Sequence, residues 1–383
     1  MSVTAPLGFR AAGVAAGLKP SGERDVAVVL NDGPSRAAAA VFTANRVKAA
    51  PVLWTEQVVR GGRVRAVLLN SGGANACTGP LGFTDTHHSA ERLAAALNDS
   101  AGEIAVCSTG LIGERLPMDL LDAGLDAALA DAARNGGTTA ADAIRTTDTV
   151  SKIAFQRAGG YTIGGMAKGA GMLAPALATM LCVLTTDADL PAAELDRALR
   201  AATGATFSRL DTDGCMSTND TVLLLASGAA GPPGDVAEFT ALLTAACDDL
   251  ARQMQLDAEG AGKAIAIEVT GAASEDDAVL TGRAVARCNL LKCAIAGEDP
   301  NWGRVLAAVG TSPAAYDPDQ LSVAINGVWV CRDGCAAADR SGVDLSGRDV
   351  TITIDLRSGP HAATIRTTDL TVAYVHENSA YST

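Results

Sequence analysis

The chain has 383 residues, of which 48% are hydrophobic and 19% are charged, as in an ordinary globular protein with an ample core. Its formal net charge of −13 argues against nucleic acid and anionic membranes as partners, although a cationic small substrate is compatible with it. No apolar run reaches the roughly 18 residues that a membrane span requires. We therefore expect a cytoplasmic protein without membrane-spanning segments.

The nine cysteines are scattered singly and, without an export signal, are expected to be reduced thiols. Residues 1–19 match neither a signal peptide nor a transit peptide, because a proline, an arginine and several glycines interrupt them. The closest approach to a metal-binding pattern is the pair Cys288 and Cys293 together with Cys331 and Cys335. Their spacing is loose and the four histidines do not complete a site, so we predict no metal and no cofactor.

The first half of the chain alternates short strands, helices and turns. Apolar and β-branched runs predict strands at 26–30, 37–43, 64–70, 103–108, 152–156 and 161–164. Apolar periodicity predicts helices at 85–97, 118–133 and 140–145. This alternation is typical of a mixed α/β protein.

The turn Ser108-Thr109-Gly110 follows a buried strand and places a hydroxyl beside a backbone N–H. Such a pair of donors can stabilise the oxyanion of a tetrahedral intermediate, which makes Thr109 and Gly110 candidates for that role. From these residues alone, an ordinary turn is the better explanation.

The stretch Gly164–Asp189 organises the rest of the chain. Its glycine-rich first half contains Lys168 and ends at Pro175, and its second half, 177–186, has the apolar, β-branched pattern of a buried strand. Thr179 lies near the start of that strand. On its own, it is explained by the β-propensity of threonine.

A second interpretation makes Thr179 an N-terminal nucleophile. Cleavage of the bond between Ala178 and Thr179 would give Thr179 a free α-amine beside its hydroxyl, and that amine can act as general base without a histidine. An α-amine has an ordinary pKa of about 7.7–8.0, which leaves a sizeable neutral fraction near neutral pH. The glycines before the bond would let the backbone bend tightly around it.

Residues 169–174 also match the dinucleotide-binding pattern G-x-G-x-x-A, with Asp189 near the expected distance downstream. That pattern requires a helix that opens at the loop and holds a pyrophosphate at its N-terminus. Pro175 and the extended, threonine-rich run after it leave no such helix. A dehydrogenase that binds NAD(H) is therefore a disfavoured alternative.

The second half begins with the central strand and alternates again. The patterns predict helices at 192–202, 236–256, 277–296 and 304–309, and strands at 221–226, 264–270, 321–330, 349–356 and 361–375, the last with a break at 367–369. A polar loop at 210–220 is interpreted as a turn-rich connection rather than a calcium site. The turn 257–263 lacks the residues of a phosphate-binding loop, but its Glu259 could bind an ammonium group.

Several of these motifs, taken together, resemble those of the ornithine acetyltransferase family, also called the glutamate N-acetyltransferase or ArgJ family. They are Ser108-Thr109-Gly110-Leu-Ile-Gly113, Thr146-Thr147-Asp148-Thr149, Lys168-Gly-Ala-Gly-Met-Leu-Ala-Pro-Ala-Leu-Ala-Thr179, Glu259-Gly-Ala-Gly-Lys263, Asp299-Pro-Asn-Trp-Gly-Arg304, and a tail with Asn378 and Thr383. The set spans nearly the whole chain in the right order, and the block from lysine to threonine is highly specific. At the last position, where this chain has Thr383, serine is equally usual.

The resemblance implies an α/β sandwich of mixed sheets between helices, with the N-terminal-nucleophile-type architecture of DmpA and ArgJ. It also implies a precursor that cuts itself between Ala178 and Thr179. The products would be an alpha chain, 1–178, and a beta chain, 179–383, that stay together and pair as an α2β2 heterotetramer.

The same resemblance implies an acetyltransferase of arginine biosynthesis that moves acetyl from N2-acetyl-L-ornithine to L-glutamate through an acetyl-Thr179 enzyme. Thr109 and Gly110 would form the oxyanion hole, and Lys168 is suited to the substrate α-carboxylate. The implied substrate contacts are Thr147, Lys168, Thr179, Glu259, Asn378 and Thr383.

Three alternatives stay open. A related group of self-cleaving aminopeptidases hydrolyses its substrates, and the outcome depends on whether water is excluded from the acyl-enzyme. A bifunctional relative would also make N-acetylglutamate from acetyl-CoA, but we expect poor use of acetyl-CoA because no coenzyme A motif and no basic cluster flank the nucleophile. A non-catalytic binding protein on the same scaffold would not cut itself.

Overall fold

The helices and strands follow the hydrophobic pattern of the chain, and most begin and end within a few residues of the predicted positions. The computed structural model describes residues 2–157, 160–174 and 180–380. Its strands are β1 (Phe9–Val14), β2 (Val26–Asn31), β3 (Ala38–Phe42), β4 (Ala66–Asn70), β5 (Ile104–Ser108), β6 (Lys152–Arg157), β7 (Thr162–Lys168), β8 (Leu181–Ala188), β9 (Thr221–Gly231), β10 (Ala264–Ala272), β11 (Ser322–Ile325), β12 (Val328–Arg332), β13 (Cys335–Ala336), β14 (Asp349–Asp355) and β15 (His361–Thr368). Its helices are α1 (Ala50–Val59), α2 (Gly79–Leu97), α3 (Met118–Asp131), α4 (Gly137–Ala143), α5 (Ala192–Ala205), α6 (Val236–Leu256), α7 (Glu275–Ala286), α8 (Asn289–Ala296), α9 (Trp302–Val309) and α10 (Val372–Ala380).

Within the described residues, the strands form three sheets. The first has the order β1-β2-β4-β5, the second β3-β9-β8-β7-β6 and the third β13-β12-β11-β14-β10-β15. Most neighbours are antiparallel, but β4 and β5, β8 and β9, and β10 and β14 are parallel pairs, so each sheet is mixed.

The first two sheets stack face to face between helices. Leu181 and Val183 of β8 belong to the core shared by the two sheets, whereas Cys182 and Leu184 belong to the core between the second sheet and helices α5 and α6. Helices α2 and α3 cover the outer face of the first sheet. Because β8 is buried on both faces, its first four residues, Leu181–Leu184, are all apolar, and the two threonines and the aspartate that follow them are buried as well. The prediction of an α/β sandwich of mixed sheets between helices is confirmed.

The third sheet packs helices α7, α8 and α9 against a separate core. Its strand β10 follows the turn that contains Glu259, and its edge strand β15 leads into α10. This sheet therefore brings the turn and α10 to the same side of the molecule.

Two predicted elements are divided in the structure. The strand at 321–330 is a hairpin of β11 and β12, because Asn326 and Gly327 take positive φ angles of 45° and 81° and form the two-residue turn. The helix at 277–296 is interrupted at Arg287 and Cys288, where α7 ends and α8 begins. Neither glycine nor proline marks that second break.

The end of the strand at 361–375 was also predicted wrongly. The strand β15 stops at Thr368, since the Asp369 carboxylate leaves the ladder to accept the N–H groups of Gly262 and Lys263, both at 2.9 Å. The Thr371 hydroxyl then accepts the Tyr374 N–H at 3.1 Å, as a helix-capping residue does, and α10 begins at Val372. The strand β1 was not predicted at all.

Candidate active site

The residues predicted for the site converge on one pocket. An outer cleft of about 1220 Å³ adjoins an inner pocket of about 100 Å³, and Gly110, Thr146, Thr147 and Glu259 line both. The inner pocket is lined by Ala74, Thr109, Gly110, Ile112, Thr146, Thr147, Lys168, Gly171, Met172, Ser217, Thr218, Asn219, Glu259 and Asn378. Six predicted site residues are therefore neighbours, whereas Ala178, Thr179 and Thr383 lie outside the described residues.

The turn after β5 presents two donors to the inner pocket. The Thr109 N–H is already used, because it donates to the Asn70 carbonyl at 3.0 Å. The Thr109 hydroxyl and the Gly110 N–H donate to no described residue. Gly110 has a φ of +126°, and a Cβ there would lie 2.6 Å from the Gly73 nitrogen, so only glycine fits this turn.

Glu259 is held by neutral groups from three parts of the chain. Its carboxylate accepts the Thr147 hydroxyl at 2.7 Å and the Asn378 side-chain amide at 2.9 Å, and its N–H donates to the Ala170 carbonyl at 3.0 Å. A Cβ on Gly171 would lie 2.6 Å from the carboxylate oxygens, so the glycine-rich loop allows this close approach. The side chain is half-buried and lines the pocket, where an ammonium group is the natural partner of a carboxylate.

The position of Asn378 depends on how α10 docks. Gly260 has a φ of +60°, and a Cβ there would collide with the backbone nitrogen of Tyr374. The Thr371 hydroxyl donates to the Gly260 carbonyl at 2.5 Å. The helix therefore packs directly on the turn that contains Glu259, which brings Asn378 within reach of the carboxylate.

Lys168 belongs to a buried group of charges, here called the charge cluster, made up of Asp148, Lys152, Lys168 and Asp257. The Asp148 carboxylate accepts the Lys152 ammonium at 2.5 Å, and Lys152 also donates to Asp257 at 2.6 Å. The Lys168 Nζ is 3.9 Å from Asp148 Oδ2, and its side chain is 3% exposed. Lys168 therefore lacks a close carboxylate partner among the described residues.

The charge cluster shifts the pKa values of Asp148 and Lys168. Burial opposes ionisation of Asp148, but the Lys168 and Lys152 ammonium groups outweigh it and lower the pKa of Asp148 to about 2. Burial lowers the pKa of Lys168, and Asp148 offsets this only in part. An anionic group bound in the pocket would supply the partner that stabilises the charged lysine.

Sequence analysis missed the loop 217–220, which it treated as part of a connection. The Asn219 side-chain amide donates to the Ser108 carbonyl at 2.8 Å and the Ala74 carbonyl at 2.7 Å, and so ties the turn of Thr109 and Gly110 to this loop. The next residue, Asp220, accepts the Met180 N–H at 3.0 Å. The available signal was a polar run directly before a buried strand.

Neither a metal site nor a membrane span is present in the parts of the chain that the structure describes. There, no group of three or more histidine, cysteine, aspartate or glutamate side chains is arranged to hold a metal ion. Across residues 2–157, 160–174 and 180–380, no helix combines the length and apolar composition needed to cross a membrane.

Comparison with known proteins gives a consistent family. The profile of the ArgJ family matches residues 10–383. The arginine biosynthesis bifunctional protein ArgJ of Thermobifida fusca is 72% identical over 383 residues, and that of Streptomyces avermitilis is 64% identical over 382 residues, with all of both chains covered in each case. A solved structure of the ornithine acetyltransferase of Mycobacterium tuberculosis in complex with ornithine is 57% identical, covers 47% of this chain and 96% of its own, and gives a TM-score of 0.43.

The family profile covers almost the whole chain, and the two curated relatives match it from end to end at high identity. The resemblance inferred from the ordered motifs is therefore confirmed, and with it the prediction of an acetyltransferase enzyme of arginine biosynthesis. The chain belongs to the ArgJ family.

Proposed function

We propose that this chain moves acetyl from N2-acetyl-L-ornithine to L-glutamate. The observation that carries the proposal is the inner pocket, where the buried Lys168 ammonium and the Glu259 carboxylate accompany the donor pair of Thr109 and Gly110. Acetylornithine has the complementary groups, namely an α-carboxylate, a side-chain ammonium and an acetyl carbonyl. The relative from Mycobacterium tuberculosis binds ornithine, which supports the same choice of substrate.

The proposed nucleophile is Thr179, freed by self-cleavage after Ala178. The parallel register pairs Leu181 with Thr221, so the N-terminal end of β8 lies beside the loop 217–220. That loop also holds the oxyanion turn through Asn219. A nucleophile directly before Met180 would thus begin next to the donors that its reaction requires.

In the proposed cycle, the α-amine of Thr179 takes the proton of its own hydroxyl as the oxygen attacks the acetyl carbonyl. The Thr109 hydroxyl and the Gly110 N–H stabilise the oxyanion. The tetrahedral intermediate then expels the ornithine α-amine, which receives the proton, and leaves an acetyl ester on Thr179. Glutamate enters, its α-amine attacks the ester, and the same steps in reverse release acetylglutamate.

Within the proposal, lysine and glutamate side chains select the substrate. Lys168 binds the α-carboxylate common to ornithine and glutamate, while Glu259, supported by Thr147 and Asn378, binds the ornithine ammonium. Thr383 completes the contacts by its place in the family motif. The half-reaction with glutamate brings a second carboxylate to the pocket, so Glu259 is expected to favour ornithine over glutamate.

Self-cleavage would leave the two chains, 1–178 and 179–383, as one folded unit. The second sheet interleaves them: β8 and β9 come from the second chain, and β3, β7 and β6 from the first. The ladder between β7 and β8 runs from Ile163 to Lys168, so backbone hydrogen bonds join the chains without the cut bond. We extend the proposal to an α2β2 heterotetramer in the cytoplasm.

A second candidate activity is supported by the names of the relatives, since those of Thermobifida fusca and Streptomyces avermitilis are called bifunctional. Acetyl-CoA would be the additional donor. The outer cleft of about 1220 Å³ next to the inner pocket has room for a longer donor. The expectation of poor use of acetyl-CoA stays a prediction, tested by comparing kcat/KM for glutamate acetylation with each donor. A ratio within about tenfold would make the enzyme bifunctional.

The primary test of the proposed function is self-cleavage linked to activity. On a denaturing gel, the purified protein should run as two fragments, and N-terminal sequencing of one should begin at Thr179. Thr179→Ala should stay uncut and inactive, whereas Thr179→Ser, which keeps a hydroxyl, should be cut. Full activity in an uncut wild-type chain would contradict the proposal.

A further inference from the structure

Lys19 lines the outer cleft and takes no part in the proposed acetyl-transfer cycle. It is half-buried, and among the described residues that line this cleft it is the only one with a positively charged side chain. Its ammonium donates to the Arg24 carbonyl at 2.8 Å and forms no ion pair with a carboxylate of the described residues. The cleft therefore presents a cation that a bound anion could pair with.

A buried carboxylate fixes the backbone around Lys19. Asp25 is 0% exposed and accepts the N–H groups of Ala16 and Leu18, both at 2.6 Å. It also accepts the Lys19 N–H at 3.0 Å. The Asp25 carbonyl accepts the Ser71 N–H at 2.9 Å, which joins this loop to the end of β4. The fold itself therefore holds Lys19 at the cleft.

The same loop packs against the turn that carries the proposed oxyanion donors. Gly72 has a φ of +100°, and a Cβ there would lie 2.9 Å from the Leu18 carbonyl oxygen. A Cβ on Gly110 would in turn lie 2.8 Å from the Gly72 carbonyl carbon. Two close backbone contacts thus place the loop of Lys19 beside Gly110, which lines both the outer cleft and the inner pocket.

The surroundings of Lys19 favour binding of an anion. Burial lowers the pKa of Lys19, and nearby carboxylates, among them that of Asp148, offset this only in part. Asp148 Oδ2 is also 3.9 Å from the Lys168 Nζ in the inner pocket. Both lysines thus feel the charge of Asp148, which puts Lys19 within electrostatic reach of the inner pocket.

The acceptor glutamate brings an anion that the inner pocket does not accommodate. With its α-carboxylate on Lys168, the side-chain carboxylate would meet Glu259 where ornithine places an ammonium group, and the two negative charges would repel. Gly110, Thr147 and Glu259 line both pockets, so a side chain that turns away from Glu259 enters the outer cleft. Lys19 is the cation that it finds there.

The outer cleft suits a single carboxylate better than a ligand with several phosphates. Its described walls carry one lysine and five carboxylates, those of Glu23, Glu114, Asp257, Glu259 and Glu377. Coenzyme A, with several negative charges, would be repelled by most of them. One carboxylate close to Lys19 gains an ion pair with much less repulsion.

We infer that Lys19 binds the side-chain carboxylate of the acceptor glutamate in the outer cleft. Ornithine, whose side chain carries an ammonium group, binds Glu259 instead, so the two substrates share Lys168 and diverge at their side chains. Lys19 is then a specificity-determining residue of the second half-reaction. This inference rests on the proposed function, because it takes glutamate to be the acetyl acceptor.

The experiment separates the two half-reactions. In a ping-pong cycle, kcat/KM for each substrate reports the half-reaction in which that substrate takes part. Wild type, Lys19→Met, Lys19→Arg and Arg24→Met are compared with acetylornithine as donor and with either glutamate or its neutral isostere glutamine as acceptor. Exchange of acetyl between acetylornithine and labelled ornithine measures the enzyme without glutamate. Arg24→Met is the matched control, since it removes a positive charge from the same loop but outside the walls of the cleft.

For Lys19→Met we expect kcat/KM for glutamate to fall about tenfold or more, as for the loss of one charge-assisted hydrogen bond. The value for glutamine and the rate of exchange with ornithine should change by less than about threefold, because neither substrate has an anionic side chain. Lys19→Arg, which keeps the charge, should recover most of the loss. Arg24→Met should behave as wild type with both acceptors, and thermal unfolding of each variant reports on the fold.

The inference is overturned if Lys19→Met lowers kcat/KM for glutamate by less than about tenfold, or lowers the values for glutamine or for ornithine exchange equally. A loss confined to acetyl-CoA as donor would also overturn it, since Lys19 would then bind the phosphates of coenzyme A. A wild type that transfers acetyl to neither glutamate nor ornithine would instead refute the proposed function. If Lys19→Met is not recovered folded, Lys19→Gln is judged by the same criteria.

Discussion

The inner pocket holds its two charged side chains in opposite ways. Lys168 is buried within the charge cluster, surrounded by Asp148 and Lys152, and has no close carboxylate of its own among the described residues. Glu259 is half-buried and held by the neutral Thr147 and Asn378 side chains. Burying charges in this way is costly unless each is paired. Substitutions on the lysine side of the pocket should therefore lower the stability of the fold, whereas substitutions on the glutamate side should affect substrate handling with little loss of stability.

This difference predicts the largest effect for Asp148→Asn, which removes the carboxylate between two buried lysines. We expect the free energy of unfolding to fall by about 3–5 kcal/mol, because uncompensated buried charge is left behind. The measurement is urea unfolding of the uncut Thr179→Ala protein with and without Asp148→Asn. The control is Asp142→Asn, a partly exposed carboxylate worth about 1 kcal/mol or less. Equal stability of the two variants would remove the distinction between the two sides of the pocket.

The turn of Thr109 and Gly110 carries the proposed oxyanion donors and no charged side chain, so its loss should affect catalysis rather than stability or binding. Thr109→Ala is expected to lower kcat by about 10²–10³-fold, the usual effect of removing one oxyanion donor. Thr109→Ser keeps the hydroxyl and should retain most of the activity. Steady-state kinetics with acetylornithine measure both variants. If only KM changed, Thr109 would be a ground-state contact instead.

The charge cluster also predicts a pH dependence of stability. The pKa of Asp148 is about 2 in the folded protein, below its unfolded value of about 3.9, so its contribution is fully present above pH ~4 and is lost as pH falls through ~2. That contribution is roughly 2–3 kcal/mol. In the uncut background, the parent should therefore lose more stability between pH ~4 and ~2 than Asp148→Asn does. If stability falls equally with pH in the two proteins, the assignment of this pH dependence to Asp148 is wrong.

On the glutamate side of the pocket, Glu259→Gln should affect substrate handling with little loss of stability. Removing a charged hydrogen bond to the ammonium group should reduce kcat/KM for acetylornithine by a factor that corresponds to a loss of about 1–3 kcal/mol of transition-state stabilisation. Glu377→Gln removes the same charge from the wall of the outer cleft and should have a smaller effect. Unchanged constants for Glu259→Gln would take Glu259 out of the site.

The elements that organise the fold could be predicted because their signals are local. The strand β8 begins with an unbroken apolar run, Leu181–Leu184, and the bounds predicted for α6 are those of the structure, in which Asp235 caps the first turn. The hairpin at Asn326 and Gly327 was also signalled locally, by the dipeptide typical of a two-residue turn, and the apolar residues around it obscured that signal. The break between α7 and α8 has no comparable signal.

The site residues also divide into those that a local sequence motif marks and those that only long-range contacts place. The glycine-rich positions and Glu259 could be selected from the sequence, since ordered motifs mark them. The contact of Asn378 with Glu259 depends on the docking of α10 against Gly260, and the helix itself depends on Asp369 bonding to a distant turn. Asp220 gives no signal in the sequence for the same reason, because the Met180 N–H that it accepts lies 40 residues earlier in the chain. Long-range hydrogen bonds of this kind leave no periodic pattern.

Intact mass spectrometry of the purified protein, with and without N2-acetylornithine and without glutamate, tests the central claim most directly. We predict two chains that divide at Thr179, and a mass increase of one acetyl group on the chain that begins there, lost again when glutamate is added. Thr179→Ala is the control and should show one uncut, unacetylated chain. An active enzyme that remains uncut, or that never becomes acetylated on the second chain, would contradict acetyl transfer through Thr179.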